Sequence, residues 1–213
     1  MKNFLFTLVS FFTITLGFSQ TSLFEHPQFD QIIDKHEIIA ILPFKTSITM
    51  RPKDMKSMSI EQISKMEEDE GLSIQSAMHS WFLKSEKNEK IKVKVLDPLT
   101  TNTKLKRMGV TQENLSDYTS DELANILEVD AVLMGTFETN KPMSEGASVA
   151  LGLLVGFYGS TNKAIINMSI YNGEDGMLLA NYNKAISGSM GSSTEDLINI
   201  LMRKASRRIS YSE

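Results

Sequence analysis

A short unbroken run of apolar residues constrains the fold of this chain more than any other feature. Residues 38–42 are all apolar, and Pro43 ends the run. A strand with one solvated face alternates apolar and polar side chains, whereas a strand without alternation is buried on both faces. Residues 129–138 form a second segment with an equally apolar start. Both segments predict central strands of a sheet that carries helices.

The rest of the chain alternates between helical and strand patterns. The predicted elements are a short helix capped by Ser59 and Gln62, a helix over residues 71–87, an edge strand over 90–96, short helical pieces over 100–119 broken at Gly109, a helix capped by Thr119 and Glu122, strands over 129–138, 163–171 and 177–186, and a last helix capped by Ser192 and Glu195. A turn at residues 172–176 joins the last two strands into a hairpin. The order β-α-β-α-β-β-β-α predicts a single α/β domain with a mixed β-sheet flanked by helices.

The first twenty residues follow the pattern of a secretory signal peptide. Lys2 gives a positive start, residues 4–16 are apolar apart from Ser and Thr, and the small residues Gly17 and Ser19 precede a cleavage point ahead of Gln20. The predicted organisation is a signal peptide over residues 1–19, a lead-in segment over 20–36 and one domain over 37–213. A retained membrane anchor is the alternative, but the apolar run is short for a bilayer span.

Composition and charge narrow the function. The 213 residues include no cysteine, which excludes disulfides, thiolate metal sites, a cysteine nucleophile and an N-terminal lipid anchor on cysteine. The net charge of -4 argues against a nucleic-acid partner, because nucleic-acid binders carry a basic face. An exported chain without a lipid anchor is expected in the periplasm or at the outer membrane, and its Lys-rich and Phe-rich composition favours a bacterial source.

Motifs that carry chemistry are missing from the sequence. His26, His36 and His79 do not have the spacing of metal ligands, and neither a nucleophile elbow nor a phosphate-binding loop is present. The Gly/Ser-rich residues 188–193 are interpreted as a helix cap rather than an anion site. The acidic run 67–70 is interpreted as a solvated helix end. We therefore predict no catalytic residue, no metal and no cofactor.

The order of elements resembles a known family. IIAILPF at residues 38–44, ELANILEVDAVLMGTFE at 122–138 and IINMSIYNGEDGMLLANYNKAISGS at 165–189 are similar to segments of the periplasmic domain of CsgG, the curli secretion channel subunit. Related modules are activators of penicillin-binding proteins and the N-terminal domain of TolB. The resemblance implies an α/β fold and a non-enzymatic role in envelope assembly or secretion. Two features differ from the channel subunit: the acylated cysteine is absent, and residues 108–119 are too few for its first membrane hairpin.

Residues 146–162 form an uncharged, largely apolar insert. Two interpretations stay open: a surface that contacts the outer membrane or a neighbouring subunit, or a flap that completes the protein's own core. The first interpretation assigns interaction to the large side chains of the insert, namely Val149, Leu151, Leu153, Leu154, Val155, Phe157 and Tyr158.

These observations favour a secreted, non-enzymatic binding module of the cell envelope. Its expected partners are envelope proteins, with self-association and outer-membrane contact as further options. The alternative from another class is a soluble periplasmic regulator of a peptidoglycan-synthesising enzyme. A hydrolase that uses Asp or Glu is a third hypothesis, which the sequence supports least.

Overall fold

The computed structural model describes residues 21–49, 58–89, 91–139 and 162–188, together with residues 52, 56, 200 and 211. Its strands are β1 (Thr21–Glu25), β2 (Ile38–Ile41), β3 (Lys45–Ile48), β4 (Lys94–Val95), β5 (Ala131–Thr139), β6 (Asn162–Asn172) and β7 (Leu178–Gly188). Its helices are α1 (Phe29–Ile33), α2 (Ile60–Lys87), α3 (Pro98–Arg107) and α4 (Ser120–Leu127), with a 3-10 turn at Leu115–Asp117.

The strands form one mixed, seven-stranded sheet in the order β1-β7-β6-β5-β2-β4, with β3 also paired to β5. The pairs β2–β4, β2–β5 and β3–β5 are parallel, whereas β5–β6, β6–β7 and β7–β1 are antiparallel. The parallel part is joined through helices and the antiparallel part contains the hairpin, as the sequence pattern requires. This confirms the predicted fold class, a single α/β domain with a helix-flanked mixed sheet.

Helices cover both faces of β2. On the first face, Ile74 and Met78 of α2 pack in one core with Ile39 and Ile41. On the second face, Ala40 and Leu42 lie in a smaller core with side chains of α3 and α4. The predicted burial of residues 38–42 on both faces is confirmed for Ile39 to Leu42, each at most 1% exposed.

One helix replaces the two that the sequence predicted between Ser59 and Lys87. The capping box of Ser59 and Gln62 starts it as expected, but the helix continues through Gly71 for 28 residues. A side chain at Gly71 would place its Cβ 2.1 Å from the carbonyl oxygen of Phe44. Gly71 therefore allows the helix to pack closely against the chain that follows β2, and it does not break the helix. The predicted helix boundary at residue 71 was wrong for this reason.

Other boundaries also differ from the prediction. β3 lies in a stretch that the sequence left without a strand, with Thr46 and Ile48 buried. The segment 20–36 contains β1, which pairs with β7, and α1, whose Phe29 is 1% exposed. The predicted strand 90–96 is confirmed as an edge element, but the strand β4 itself covers only Lys94–Val95, which pair with Ile38 and Ile39. The break at Gly109, with φ of 75°, and the turn after Asn172 are confirmed.

Several predictions fall outside the described residues. These are the signal peptide 1–19, residues 140–161 with the apolar insert and its seven candidate interaction residues, and nearly all of the last helix. Within the part of the chain that is described, we find no helix of a length and apolar character sufficient to traverse a bilayer.

Gly135 provides a test of the packing between β5 and its neighbours. A methyl group there would lie 2.3 Å from the Phe44 ring and 2.4 Å from the carbonyl oxygen of Asn167. We expect Gly135→Ala to lower the free energy of unfolding by about 3 kcal/mol in urea denaturation. In the control Gly109→Ala the new Cβ has no atom within 4 Å, so the only cost is the positive φ at this position. We expect that cost to lower the free energy of unfolding by about 1 kcal/mol. Equal losses for the two variants would contradict this packing.

Candidate functional site

Among the described residues, two recesses and one open sheet face are candidate sites. The larger recess, here the polar cleft, has a volume of about 500 Å³ and lies where β2 and β5 begin and β6 ends. The smaller, here the groove, has a volume of about 260 Å³ and lies beside β5 and β6 on the second face of the sheet.

Asp130 joins three elements at the polar cleft. Its carboxylate oxygen Oδ2 accepts hydrogen bonds from the backbone N–H groups of Glu37, at 2.7 Å, and Ile38, at 2.9 Å. Its own backbone N–H donates to the Ile38 carbonyl, and its carbonyl accepts from the N–H of Gly173. The side chain therefore fixes the start of β2 against β5 and the β6–β7 turn. That is a positioning role, since a carboxylate that accepts two backbone N–H groups is already hydrogen-bonded.

A chain of side-chain hydrogen bonds crosses the same cleft. Asn172 Nδ2 donates to Asp175 Oδ1 at 2.8 Å, and Asn172 Oδ1 lies 3.2 Å from His36 Nε2. The other ring nitrogen, His36 Nδ1, lies 2.8 Å from the hydroxyl of Tyr211. His36 and Tyr211 are 175 positions apart in the chain, so the contact is made only in the folded protein.

Burial and hydrogen bonding shift the pKa values of this chain of groups. Burial lowers the pKa of His36 from its ordinary value of 6.5, against the opposing effects of the Asn172 hydrogen bond and the Asp130 charge. Burial raises the pKa of Tyr211 well above its ordinary value, so its hydroxyl stays protonated. The Met177 N–H and the Asn172 amide lower the pKa of Asp175, which stays ionised.

The crevice at the carboxyl end of β2 is filled by protein groups. Open α/β sheets commonly bind ligands at the carboxyl ends of their parallel strands. Here the fully buried Gln75 donates from Nε2 to the Ile41 carbonyl at 2.7 Å and to Asn102 Oδ1 at 3.0 Å. Asn102 returns a hydrogen bond from Nδ2 to Gln75 Oε1 at 2.9 Å. This reciprocal amide pair ties α2 to α3 at the position where such folds usually hold a ligand.

The second face of the sheet is uncharged over the central positions of β6 and β7 and over β1, whereas the register places Glu138, opposite Ile165, and Lys163 on the same face at its border. We call this surface the open face and define it by the residues whose positions in the strand register place them there: Ser22, Phe24, Thr136, Ile165, Asn167, Ser169, Asn181, Asn183 and Ala185. Asn181 Nδ2 donates to Asn167 Oδ1 at 2.9 Å and to Ser169 Oγ at 2.8 Å, which orders the amides in a ladder. Among the described residues, Phe24 and Ile165 stay 45% and 42% exposed.

The groove continues the open face towards the loop before α4. Asn167, Ser169 and Thr136 line it on the sheet side, and Leu115 lines it on the loop side. Lys45, also in the lining, brings one positive charge to the border of the open face. The combined surface has an uncharged, hydrogen-bonding centre, with apolar side chains and the charged Lys45 and Glu138 at its margins.

The residues that the sequence singled out for chemistry do not converge. His36 lies in the polar cleft, His26 accepts a hydrogen bond from the backbone N–H of Gln28, and His79 lies on α2. Across the described ranges, no group of three or more His, Asp and Glu side chains is arranged to hold a metal.

The interpretation of residues 67–70 as a solvated helix end is wrong. These residues lie inside α2, and Glu70 is fully buried. Glu67 Oε1 accepts a hydrogen bond at 2.9 Å from the backbone N–H of Ile48 in β3. Positions three apart on a continuous helix share one face, so Glu67 and Glu70 point inwards. Glu68 and Asp69 pair with Lys65 on the exposed side, as a solvated face would.

Comparisons with known proteins leave the family open. No family model matches the chain, and no curated protein matches it. It is similar to the solved structure of lipoprotein GNA1162 from Neisseria meningitidis, with 14% sequence identity over 81% of this chain and 96% of that chain and a TM-score of 0.46. It is also similar to the PelC dodecamer from Paraburkholderia phytofirmans, with 9% sequence identity over 91% of this chain and 99% of that chain and a TM-score of 0.46. A third similar structure is the LpoB C-terminal domain from Salmonella enterica, with 8% sequence identity over 75% of this chain and 93% of that chain and a TM-score of 0.35. Similarities at this level support no argument about function, and the resemblance to CsgG stays a prediction.

Replacing Asp130 tests its positioning role. Asp130→Ala leaves the N–H groups of Glu37 and Ile38 without the carboxylate, and we expect the free energy of unfolding to fall by about 2 kcal/mol. Asp117→Ala, at an exposed aspartate of the 3-10 turn, is the control, with an expected change of about 0.5 kcal/mol or less. Chemical denaturation measures both. If Asp130→Ala proved as stable as the control, Asp130 would not hold the start of β2.

Proposed function

We propose that this protein is a non-enzymatic binding module of the cell envelope that acts by surface contact. Its docking surface is the open face with the adjoining groove, and its partner is another envelope protein. The observation that carries the proposal is the uncharged amide and hydroxyl ladder of β6 and β7, bordered by the exposed Phe24 and Ile165.

The chemistry of the open face suits a protein partner. Protein interfaces combine apolar side chains with hydrogen-bonding groups and have few charges at their centre. The open face offers Phe24 and Ile165 for apolar contact and the amides of Asn167, Asn181 and Asn183 for hydrogen bonds. Nucleic acid requires a surface rich in basic side chains to meet its phosphates, whereas the open face is uncharged at its centre and has Lys45, Lys163 and the acidic Glu138 at its border.

The polar groups elsewhere favour binding over catalysis. Asp130 holds the starts of β2 and β5 together, and the Gln75–Asn102 pair fills the crevice at the carboxyl end of β2. These groups stabilise the backbone, which supports a scaffold for surface contact. The signal-peptide pattern of residues 1–19 and the resemblance to CsgG support an envelope location and a role in assembly or secretion.

A charge placed on the open face tests this proposal. Ile165→Arg introduces a cation at an exposed position, so the variant should fold normally but lose its partner. Leu99→Arg is the matched control, because Leu99 is 76% exposed and lies on α3, away from the open face. We expect affinity capture from envelope extract to retain the same proteins on the original chain and on Leu99→Arg. With Ile165→Arg we expect the amount of captured partner to fall at least about tenfold, as is typical of a disrupted interface.

Equal capture by Ile165→Arg and the original chain would overturn the open face as the docking surface. The identity of the captured protein separates the two functional classes. Copies of this chain or outer-membrane proteins support an assembly role. A peptidoglycan-synthesising enzyme supports the alternative, a soluble periplasmic regulator.

The apolar insert supplies a second, independent prediction. If Val149, Leu153, Phe157 and their neighbours form a contact surface, deleting residues 146–160 lowers the amount of protein that sediments with membranes or reduces the assembly size. Sedimentation and light scattering on the exported chain measure both. Unchanged size and membrane partition, with reduced stability, would instead support the interpretation of the insert as a flap over the core.

A further inference from the structure

We propose that two copies of this chain pair antiparallel through their β1 strands, so that their sheets join into one continuous sheet across a two-fold axis at Leu23. The docking site is the outer edge of β1 (Thr21–Glu25), and its occupant is the same strand of a second copy. The dimer does not rest on the proposed function, because it uses the edge of the sheet rather than the open face.

The strand register fixes which backbone groups β1 offers at its outer edge. The N–H of His26 donates to the Leu179 carbonyl at 2.8 Å. Successive residues of a strand direct their backbone groups to opposite sides, so Phe24 also bonds to β7. Leu23 and Glu25 therefore direct their N–H and C=O groups away from the sheet, and among the described residues no strand pairs with β1 on that side. Unpaired edge groups of this kind are a template for another strand.

The other described edges of the sheet are protected, whereas β1 is not. β4 covers only Lys94–Val95, and both its short length and its lysine discourage pairing with another strand. At β3 the backbone N–H of Ile48 is already bonded to Glu67 Oε1 at 2.9 Å. β1 has five residues, TSLFE, with neither lysine nor proline. It is thus the described edge that is most open to the addition of a strand.

The outer edge of β1 is complementary to itself. A two-fold axis at Leu23 places Leu23 opposite Leu23 of the second copy, and Thr21 opposite Glu25 of the second copy. Each of these residues directs its backbone groups outward, so every N–H in the pair meets a C=O. Strand addition gains its affinity from main-chain hydrogen bonds of this kind. Pairing of one surface with itself across a two-fold axis is also the commonest arrangement of oligomers.

Charge selects this register over its neighbours. Glu25 is the charged residue of β1, and the other four are neutral. In the register centred on Leu23, the Cα atoms of the two Glu25 residues are offset along the strands by about 14 Å. That separation exceeds the screening length of about 8 Å in physiological salt. A register centred on Glu25 would instead place like charges directly opposite each other, which is destabilising.

The pairing also covers apolar side chains on both faces of the sheet. The two-fold axis is perpendicular to the sheet, so each face of one copy continues into the same face of the other. On the second face, Phe24, which is 45% exposed, lies opposite Ser22 of the second copy. On the first face, Leu23, which packs against the core, meets Leu23 of the second copy. The open faces of the two copies then form one surface.

A proline substitution at Glu25 tests the pairing. Glu25→Pro removes an N–H that points out of the sheet, so β1 still pairs with β7 while the dimer loses hydrogen bonds. Glu25→Ala removes the same carboxylate and keeps the N–H, which makes it the matched control. By analytical ultracentrifugation we expect the exported chain and Glu25→Ala to dimerise with a Kd on the order of 10 μM, as suits a small interface. The Kd of Glu25→Pro should be at least about tenfold higher.

Single cysteines test the register without a change to the backbone. The chain has no cysteine, so each variant carries one thiol. In Leu23→Cys the Cα atoms of the paired residues are about 5.5 Å apart, within the range of a disulfide. In Glu25→Cys the two residues are too far apart to be bridged. We therefore expect mild oxidation to crosslink Leu23→Cys at least about tenfold faster than Glu25→Cys, although Glu25 is the more exposed position.

Three results would each overturn the proposal. The first is an exported chain that stays monomeric at about 200 μM, well above the expected Kd. The second is equal dimerisation of Glu25→Pro and Glu25→Ala, and the third is equal crosslinking of Leu23→Cys and Glu25→Cys. Ile165→Arg, on β6, should dimerise like the original chain, so loss of the open-face partner and loss of the dimer are separate results.

Discussion

The parallel pairing of β2 with β5 is the constraint on which the rest of the structure depends. Ile39, Ala40 and Ile41 lie opposite Ala131, Val132 and Leu133, and side chains from both strands enter the cores on the two faces. Two buried parallel strands need long crossover connections, which here carry α2, α3 and α4. Asp130 holds the start of this pair through the N–H groups of Glu37 and Ile38. The polar cleft and the crevice filled by Gln75 are consequences of where these two strands begin and end.

The same arrangement explains why one part of the sheet stays open. The helices α3 and α4 occupy the connection from β4 to β5, so they pack over β2 and β5 on the second face. The hairpin of β6 and β7 and the edge strand β1 extend the sheet away from these helices. Their side chains on the first face, such as Ile166, Met168 and Tyr182, belong to the core that α2 also enters. Their outward positions carry the amide and hydroxyl side chains of the open face.

Local patterns predicted most of the fold, and long-range contacts explain what they missed. The apolar run at residues 38–42 predicted β2, and the capping pairs Ser59–Gln62 and Thr119–Glu122 located two helix starts. The edge strand β1 could not be read from TSLFE, because its partner β7 lies about 160 positions later in the chain. The hydrogen bond between His36 and Tyr211, and those that Asn181 makes, depend on strand register and on distant segments meeting. Asn172 and Asp175 looked like ordinary turn residues in the sequence.

The most direct test of the account is photo-crosslinking from the open face in the cell that makes the protein. A photoreactive amino acid at Asn183, which points outward from β7, is compared with one at Lys106, which is exposed on α3. We expect a discrete protein adduct from position 183 and none of the same mass from position 106. Equal crosslinking from both positions, or none from position 183 in folded protein, would contradict the claim that this chain works by docking a partner on the open face of its sheet.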